Sequence, residues 1–382
     1  MRTTVIRTEG IQIDHNLGGL KVLFSSAPLR RLWLGALAVI LVAVPLVISL
    51  SAEGSASESS AGVFTLYMAP DGNDDCDECG LYPEIPLETL QGVHAKLIER
   101  KPTIDRNIEV RIRYDSAQPY QRQTVVWTHT SPSYTISFMP SDYQYGMRIS
   151  DIAGRPVFDG GGSREWFFQL KSTKGQITNL RFYYLRIQGY VPGAIFLRGS
   201  PTEWQKWNGY NLVYGCYFYN LGNQIDPDAE YGLGAVTLKN SDYNTIRNNF
   251  FKKLVNVPAG NEKYIHGVYL LNNSGNNVIQ KNNFSYISGD PIKVRDYSNY
   301  NKIYSNSFVR TGYESFMVDV PKNGTDECNS WRNEFRYNTP LSCGYHGQAI
   351  LLFKPYPQSA SATCPALLPR LSRSDNDPAL CP

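Results

Sequence analysis

Apolar and polar residues alternate along much of the chain between residues 63 and 350. The apolar positions are β-branched or aromatic and are separated by a single residue, as in Val268 and Leu270, Ile292 and Val294, and Phe316 and Val318. A period of two is typical of β-strands. Clusters of Asn, Gly, Ser and Asp, such as residues 272–277, separate these runs and predict tight turns. The pattern therefore predicts many short strands joined by turns.

The strands belong to a phrase that begins with Asn, ends with Phe and is repeated along the chain. Its five copies run from Asn211 to Phe218, Asn244 to Phe250, Asn277 to Phe284, Asn301 to Phe308 and Asn329 to Phe335. They start 33, 33, 24 and 28 residues apart, which is the length of one coil of a solenoid. We therefore predict a parallel β-helix in which asparagines at the same turn of successive coils form a side-chain ladder.

The repeats and three upstream phrases resemble the pectin lyase-like superfamily of right-handed parallel β-helix proteins. The upstream phrases are the strand and turn Leu66 to Asn73, the strand Ile108 to Arg113 and the phrase Arg155 to Gly161. Between them, Pro86 to Arg100 has a 3.6-residue apolar pattern that predicts a helix capping the solenoid. The resemblance implies an all-β fold over residues 63–350. It does not select a function, since the superfamily holds lyases, hydrolases, epimerases, adhesins and proteins without known activity.

An uncharged apolar run, residues 32–50, precedes the repeats and is long enough to cross a hydrocarbon core of ~30 Å. Arg30 and Arg31 precede the run and Glu53 follows it, so the positive-inside rule predicts a cytoplasmic N-terminus and an extracellular β-helix. We predict a cytoplasmic segment 1–31, a single-pass transmembrane signal-anchor 32–50, a flexible tether 51–62, the β-helix 63–350 and a Pro- and Cys-containing tail 351–382. The alternative is a cleaved signal peptide, residues 1–56, which would give a secreted protein.

Composition limits the partners. The chain has 382 residues, of which 42% are hydrophobic, and this is enough for a large core. Its formal net charge of +3, without a cluster of Lys and Arg in the repeats, argues against a nucleic-acid partner. We expect a monomer.

The seven cysteines suit an oxidising exterior. Cys216 stands where another copy of the repeat has Asn306, and we predict that it is a buried free thiol, which leaves six cysteines for pairing. Cys364 and Cys381 are expected to close the tail. Cys76 and Cys79 predict a local disulfide; half of a zinc site, completed by Cys343 and His346, is the alternative.

The candidate site lies on one outward face of the predicted coils, where side chains of adjacent coils are about 4.8 Å apart. Aligning the inward pairs gives two outward rows, which contain Thr237, Tyr269, Lys293 and Met317 in the first and Lys239, Leu271, Arg295 and Asp319 in the second. Lys293 and Arg295 share the exposed face of the most charged strand. We take them as catalytic candidates, with Tyr269, Lys239, Asp296 and Asp319 as candidate substrate-binding residues.

Removing the C5 proton of a uronate requires a base beside a cation that neutralises the carboxylate. Lys293, with its pKa lowered by Arg295, suits the base, and Arg295 offers a planar fork for the carboxylate. His266 aligns with Asp290 at a strand start, and both are further catalytic candidates. The alternative for His266 is a turn histidine bonded to a backbone carbonyl.

The resemblance implies the same chemistry, because several lyases of the superfamily use basic residues on the outer face, often with acidic groups that hold Ca²⁺. Asp226, Asp228 and Glu230 form an acidic cluster with weak ligand character, and Ca²⁺ is therefore a candidate cofactor. No complete signature of one lyase family is present.

Three other interpretations stay open. Asp290, Asp296 and Asp319 could imitate the carboxylates of a hydrolase. Arg295 and Asp319 could form a surface ion pair and nothing more. The aromatic residues Trp166, Trp204, Trp207 and Tyr210 could stack on sugars or pack a loop onto the solenoid.

Two functions follow: a lyase- or epimerase-type enzyme acting on an acidic polysaccharide, or a non-catalytic surface protein that binds glycans or other envelope partners.

Overall fold

The structure, a computed structural model, describes residues 7–8, 11–16, 19–23, 62–224, 232–257, 260–319 and 327–355. It divides the chain into two units, Met1–Glu58 and Ser59–Pro382. In the first unit, three antiparallel strands form a sheet: β1 (Arg7–Thr8), β2 (Ile11–Asn16) and β3 (Gly19–Leu23).

Several predicted segments fall outside these ranges. They are the transmembrane run 32–50, the tether up to residue 61, and residues 356–382 of the tail with Cys364 and Cys381. Within the described ranges, no helix combines the length and the apolar character needed to span a bilayer.

The second unit is built from three long parallel sheets, which we number in the order in which each coil visits them. Sheet 1 contains β4 (Phe64–Met68), β5 (Ile108–Ile112), β8 (Ile136–Pro140), β12 (Leu180–Tyr183), β16 (Leu212–Tyr214), β20 (Thr245–Arg247), β23 (Val278–Gln280), β26 (Lys302–Tyr304) and β29 (Glu334–Arg336). Sheet 2 contains β6 (Tyr120–Gln121), β9 (Val157–Ser163), β13 (Arg186–Tyr190), β17 (Tyr217–Leu221), β21 (Phe250–Leu254), β24 (Asn283–Ile287), β27 (Ser307–Val309) and β30 (Thr339–Pro340).

Sheet 3 contains β7 (Val125–Trp127), β10 (Phe168–Lys171), β14 (Gly193–Arg198), β18 (Gly234–Lys239), β22 (His266–Leu271), β25 (Ile292–Val294), β28 (Ser315–Asp319) and β31 (Leu351–Pro355). A short fourth sheet contains β11 (Gln176–Ile177), β15 (Asn208–Gly209) and β19 (Ser241–Asp242). β31 pairs with β28, so the solenoid continues past the boundary predicted at residue 350.

The predicted helix is present as α1 (Leu90–Arg100), and short 3₁₀ turns cover Lys101–Thr103, Ile149–Asp151 and Glu262–Tyr264. The helix begins at Leu90 and not at Pro86, because Leu87 pairs with Met68 as a β-bridge. The Thr89 side chain then caps the helix by accepting a hydrogen bond from the Gly92 N–H. The role of α1 as a cap of the solenoid stays a prediction.

The inward side chains of successive coils stack on one another. Phe218, Phe251, Phe284 and Phe308 form a column whose ring centroids are 4.9, 4.7 and 5.2 Å apart. The second copy of the repeat therefore ends at Phe251 and not at Phe250, which is 46% exposed. The column buries a large apolar side chain in each of these coils and supplies much of the hydrophobic stabilisation.

The predicted asparagine ladder is confirmed at the turn that enters sheet 1. Its members are Asn211, Asn244, Asn277, Asn301 and Asn333, and each amide donates to the next Oδ1 at 2.8, 2.9, 3.0 and 3.1 Å in turn. The predicted start of the fifth copy, Asn329, is wrong, because Asn333 accepts the bond from Asn301. Phe335 consequently lies beside Ile303, and Pro340 beside Phe308.

A second ladder occupies the turn between sheets 1 and 2. Asn249, Asn282, Asn306 and Asn338 are linked in the same way, at 3.0, 3.1 and 3.0 Å. Cys216 takes the position before them, and its backbone N–H donates to Asn249. Cys216 is a buried free thiol, as predicted, and burial raises its pKa to about 12.

The CxxC pair forms the predicted local disulfide between Cys76 and Cys79. Cys343 is also disulfide-bonded, as is Cys328. The zinc alternative is therefore wrong, because all three cysteines that it requires, Cys76, Cys79 and Cys343, are disulfide-bonded and a disulfide sulfur is not a thiolate ligand.

Candidate functional site

The outer face of sheet 3 carries the predicted site, with one change of register. Thr237, Tyr269 and Lys293 follow one another in β18, β22 and β25, as predicted. The next residue in this row is Val318 and not Met317, which pairs with Ile292 and lies in the core. Because a slip of one residue turns every side chain to the other face of a strand, the slip also removes Asp319 from the outer face.

Arg295 is held by two side chains. Its Nε donates to Glu327 Oε2 at 2.8 Å, its Nη2 contacts Glu327 Oε1, and its Nη1 donates to the Tyr269 hydroxyl oxygen at 2.6 Å. The alternative in which Arg295 and Asp319 form a surface ion pair is therefore wrong, and Glu327 is the carboxylate that pairs with Arg295. Glu327 lies outside every copy of the repeat, so the periodicity gave no signal for it.

Lys293 lies on the same face as Arg295 and is half-buried. Its Nζ is 5.8 Å from the centroid of the Tyr269 ring. Burial, followed by the positive charge of Arg295, lowers the pKa of Lys293 to about 8. The direction agrees with the prediction, but burial contributes more than the neighbouring arginine. Among the described residues, no carboxylate lies within ion-pair distance of the Lys293 ammonium.

A row of cations continues along sheet 3 beside this pair. Lys171, Arg198 and Lys239 are paired in register across β10, β14 and β18. Burial, followed by the charges of Arg198 and Arg295, lowers the pKa of Lys239. In the described part of the chain these three side chains form no ion pair. We call Lys171, Arg198, Lys239, Lys293 and Arg295 the cationic face.

The side chains of His266 and Asp290 form hydrogen bonds with backbone groups. His266 is 1% exposed and its Nδ1 donates to the Asp290 carbonyl oxygen at 2.6 Å, which is the alternative stated for it above. Burial, followed by Lys293, holds the pKa of His266 well below its usual value. The Asp290 carboxylate accepts the backbone N–H groups of Tyr313, Glu314 and Ser315 at 3.1, 2.8 and 2.8 Å. Both groups are thus committed to holding the corner of the coil together.

The other two aspartates are also held by hydrogen bonds, and Asp319 is turned into the core. Asp296 accepts a hydrogen bond from Asn272 Nδ2 at 2.7 Å, and burial raises its pKa. Asp319 is 2% exposed, accepts the Ser330 N–H at 3.3 Å and has a pKa raised to about 7 by burial. Asp290 and Asp319 therefore do not form, with Asp296, the open carboxylate group that the hydrolase interpretation requires.

Asp226, Asp228 and Glu230, the weak metal-ligand candidates, lie outside the described residues. Within the described ranges, no three His, Cys, Asp or Glu side chains are placed to hold a metal ion. Nothing in the site as described therefore adds to the prediction of Ca²⁺.

Exposed aromatic rings lie at the corner that follows sheet 3. Tyr210 and Tyr243 are stacked with centroids 4.9 Å apart, and Trp207 lies 6.2 and 6.3 Å from them. We call these three the aromatic corner. Trp204 is 65% exposed, whereas Trp166 is largely buried and packs on Phe196, as the packing alternative requires; the stacking of the other rings on sugars stays a prediction.

The comparisons with known proteins concern the fold. Residues 172–340 match a family model described as "Periplasmic copper-binding protein (NosD)". No curated protein matches the chain. An alginate lyase from Paenibacillus sp. strain FPU-7 is similar in structure, with 12% identity, a TM-score of 0.48 and coverage of 83% of this chain and 96% of that one. A mutant tailspike protein of E. coli bacteriophage HK620 in complex with a pentasaccharide has 11% identity, a TM-score of 0.33 and coverage of 77% and 64%.

The stacked parallel sheets and the family match confirm the predicted fold. The chain is a right-handed parallel β-helix repeat protein, as its resemblance to the pectin lyase-like superfamily predicted. The described donor groups do not fit the copper ion named in the family's description, because no three of them converge. The described side chains of the site that can take part in chemistry include its lysines, its arginines and Tyr269.

Proposed function

We propose that this protein binds an acidic polysaccharide along the cationic face and removes the C5 proton of its uronate residues, as a lyase or an epimerase. The observation that carries the proposal is Lys293, a half-buried lysine of the cationic face that has a pKa of about 8 and no ion-pair partner among the described residues. A general base works best when its pKa lies near the working pH. At pH 7 roughly a tenth of such lysines would be neutral and able to accept a proton.

The other cations supply the charge that the reaction needs. Loss of the C5 proton transfers negative charge to the uronate carboxylate, and a nearby cation lowers the energy of that state. Arg295 provides charge, but its fork is already paired with Glu327. We therefore assign direct recognition of the carboxylate to Lys239, because Lys293 must be neutral to act as the base, and we assign to Arg295 the role of orienting Tyr269.

Tyr269 completes the proposed mechanism. Its hydroxyl oxygen accepts a hydrogen bond from Arg295, and a phenol hydroxyl can also donate its own proton. Donation to the glycosidic oxygen at C4 gives elimination and an unsaturated product. Donation to the opposite face of C5 gives epimerisation. The position of Tyr269 relative to the bound ring thus separates the two outcomes.

The geometry of sheet 3 suits an extended polymer. The rows of the cationic face run along the solenoid axis at about 4.8 Å per coil, so a chain lying along them meets several cations. The aromatic corner lies directly after the cationic face, since Gly199, which follows Arg198, lies against the backbone of Trp207. Exposed aromatic rings of this kind stack on the apolar faces of sugars.

We also propose that the β-helix lies outside the cell. The support is the sequence of residues 32–50 and the charges on either side of it, which suit a single-pass anchor with a cytoplasmic N-terminus. Cleavage near residue 56 would give a secreted form with the same site. Acidic polysaccharides of the cell surface would then be accessible to the cationic face.

The test uses the full chain and a panel of uronate polymers. Unsaturated products are followed by ultraviolet absorbance, and epimerisation by exchange of the C5 proton in D₂O. Product formation by the wild-type protein that is lost in Lys293→Ala supports the proposal. Lys302→Ala, an exposed lysine of β26 on sheet 1, is the matched control and should keep full activity.

A second candidate function is a non-catalytic glycan-binding protein of the cell surface. The observation that favours it is the pairing of Arg295 with Glu327, which occupies the planar fork that a lyase would offer to its substrate. Polymer binding that depends on Lys239 and Lys293, without any product on the whole panel, would select this function.

A further inference from the structure

A cavity of about 370 Å³ lies on the outer face of sheet 2, on different strands from the cationic face. Its floor comes from β17, β21 and β24, and its wall comes from the segment that precedes β9. The lining residues are Ile149, Arg155, Tyr217, Phe250, Lys252, Asn283 and Ser285. The volume lies within the range of about 300–1,000 Å³ that is usual for small-molecule sites.

The floor of the cavity is aromatic. Phe250 and Tyr217 are neighbours in register on adjacent coils, with ring centroids 6.3 Å apart. Phe250 is 46% exposed, although the next residue, Phe251, fills the core position of the same strand. Phe250 therefore contributes little to the core, and its ring is open to an apolar ligand surface.

The cavity also carries positive charge. The Arg155 Nε donates to the Gly215 carbonyl oxygen at 2.9 Å, and its guanidinium carbon lies 5.7 Å from the Phe250 centroid. Its terminal nitrogens have no hydrogen-bond acceptor among the described residues. Lys252, two residues after Phe250 on the same face of β21, is exposed and forms no ion pair within the described ranges. Among the described residues, no carboxylate lines the cavity.

Neutral polar groups complete the lining. Asn283 donates through Nδ2 to Ser307 Oγ at 2.9 Å, which leaves its carbonyl oxygen available to a hydroxyl donor. An aromatic floor, two cations and an amide oxygen together match a molecule with a C–H face, a carboxylate and hydroxyl groups. An acidic sugar ring has all three.

We propose that this cavity is a second carbohydrate site, which binds one acidic sugar residue with its ring on Phe250 and its carboxylate between Arg155 and Lys252. The site goes beyond the proposed function, because it lies on sheet 2 and requires no chemistry at Lys293. On an extended acidic polymer it would hold a chain end or a second chain. Binding would then be bivalent, which increases the apparent affinity for long polymers.

The test measures binding of sodium glucuronate by saturation-transfer NMR, with methyl glucoside as the neutral probe. All proteins carry Lys239→Ala and Lys293→Ala, which remove the contribution of the cationic face. In this background we compare Phe250→Ala and Lys252→Ala, whose side chains are exposed, so that folding is retained. Tyr286→Ala is the matched control, because Tyr286 is a 41% exposed ring of β24 beneath Arg310 and does not line the cavity.

We expect the background protein to bind glucuronate, with affinity about tenfold lower in Phe250→Ala and in Lys252→Ala and unchanged in Tyr286→Ala. The inference is overturned if the background protein does not bind glucuronate, if methyl glucoside binds as well, or if the two cavity variants bind like their parent. Because the background lacks the proposed base, these results do not depend on whether the wild-type protein is an enzyme.

Discussion

Polar side chains at two places on the same coils differ in whether a neighbouring coil provides their partner. At the turn between sheets 1 and 2, Asn249 donates to Asn282 at 3.0 Å and Asn282 donates to Asn306 at 3.1 Å, so each amide is satisfied by the next coil. On the outer face of sheet 3, Lys239 follows Arg198 in register, and neither forms an ion pair in the described part of the chain. The first arrangement stabilises the solenoid, and the second is the one that we propose binds a ligand.

The difference has an energetic basis. A buried amide without a partner costs about 1–3 kcal/mol, so a ladder must be complete to be favourable. Two like charges one coil apart repel by about 1 kcal/mol in water, and the repulsion increases as the site becomes drier. The cationic face therefore reduces the stability of the unbound protein. A polyanion lying along it would reverse the sign of this contribution.

The pH dependence of activity is the strongest test of the role proposed for the cationic face. The proposed base is the neutral form of Lys293, whose pKa is about 8, so the rate should rise as the pH rises through this value. Between pH 6 and pH 9 we expect kcat/KM to increase about ninetyfold and then to level off. A flat profile, or one that falls over this range, would remove Lys293 from the role of base.

Asn282→Ala tests how much the asparagine ladder between sheets 1 and 2 contributes to stability. This change removes two accepted bonds, from the Asn249 backbone and side chain, and two donated bonds, to Ile246 and Asn306. The free energy of unfolding should fall by about 3 kcal/mol, measured by denaturant titration. Asn283→Ala, one residue later on the outer face, should cost under about 1 kcal/mol. Equal losses in the two variants would mean that the ladder has no special role.

Asp319 contrasts with the residues of the cationic face, because it is a titratable residue that the fold buries. Its pKa is raised to about 7 from 3.8, so the folded state binds a proton that the unfolded state has lost between about pH 4 and pH 7. The contribution of Asp319 to stability is therefore complete below about pH 4 and is lost as the pH rises through 7. Asp319→Asn should be about 4 kcal/mol more stable than wild type at pH 8 and close to it near pH 4, because the shift is about three pKa units at about 1.4 kcal/mol each. A constant difference across this range would contradict the assignment.

Lys239→Ala should have the smallest effect. Losing one partly exposed cation from the face should weaken binding of an acidic polymer about fivefold, since such contacts contribute about 1 kcal/mol. The dependence of binding on salt concentration should also become less steep. Lys302→Ala should leave both quantities unchanged, and a loss of binding in that control would point to a non-specific charge effect.

The repeat predicted the architecture because its period is carried by many residues at once. The same period of two placed Lys293 and Arg295 correctly on the outer face, next to Tyr269. The last coil was mispredicted because Asn329 and Asn333 both precede Phe335, and the phrase alone does not choose between them. Pairing with Asn301 decides in favour of Asn333.

Three features of the site carried no signal in the sequence. Glu327 comes from a connection outside the repeats, and only the folded chain brings it to Arg295. Asp290 and Asp319 look like surface carboxylates, but backbone N–H groups at the corners of the coil bind them. The cavity on sheet 2 depends on Ile149 and Arg155, which belong to a segment with no strand pattern.

The central claim is that the cationic face recognises the carboxylates of an acidic polysaccharide. The most direct measurement compares the affinity of the full chain for one acidic polymer and for the same polymer after its carboxylates have been reduced to alcohols. We predict that wild type binds only the unreduced polymer and that the Lys239→Ala/Lys293→Ala variant binds it at least tenfold more weakly. Equal affinity for the reduced polymer, or a double variant that binds like wild type, would contradict the account.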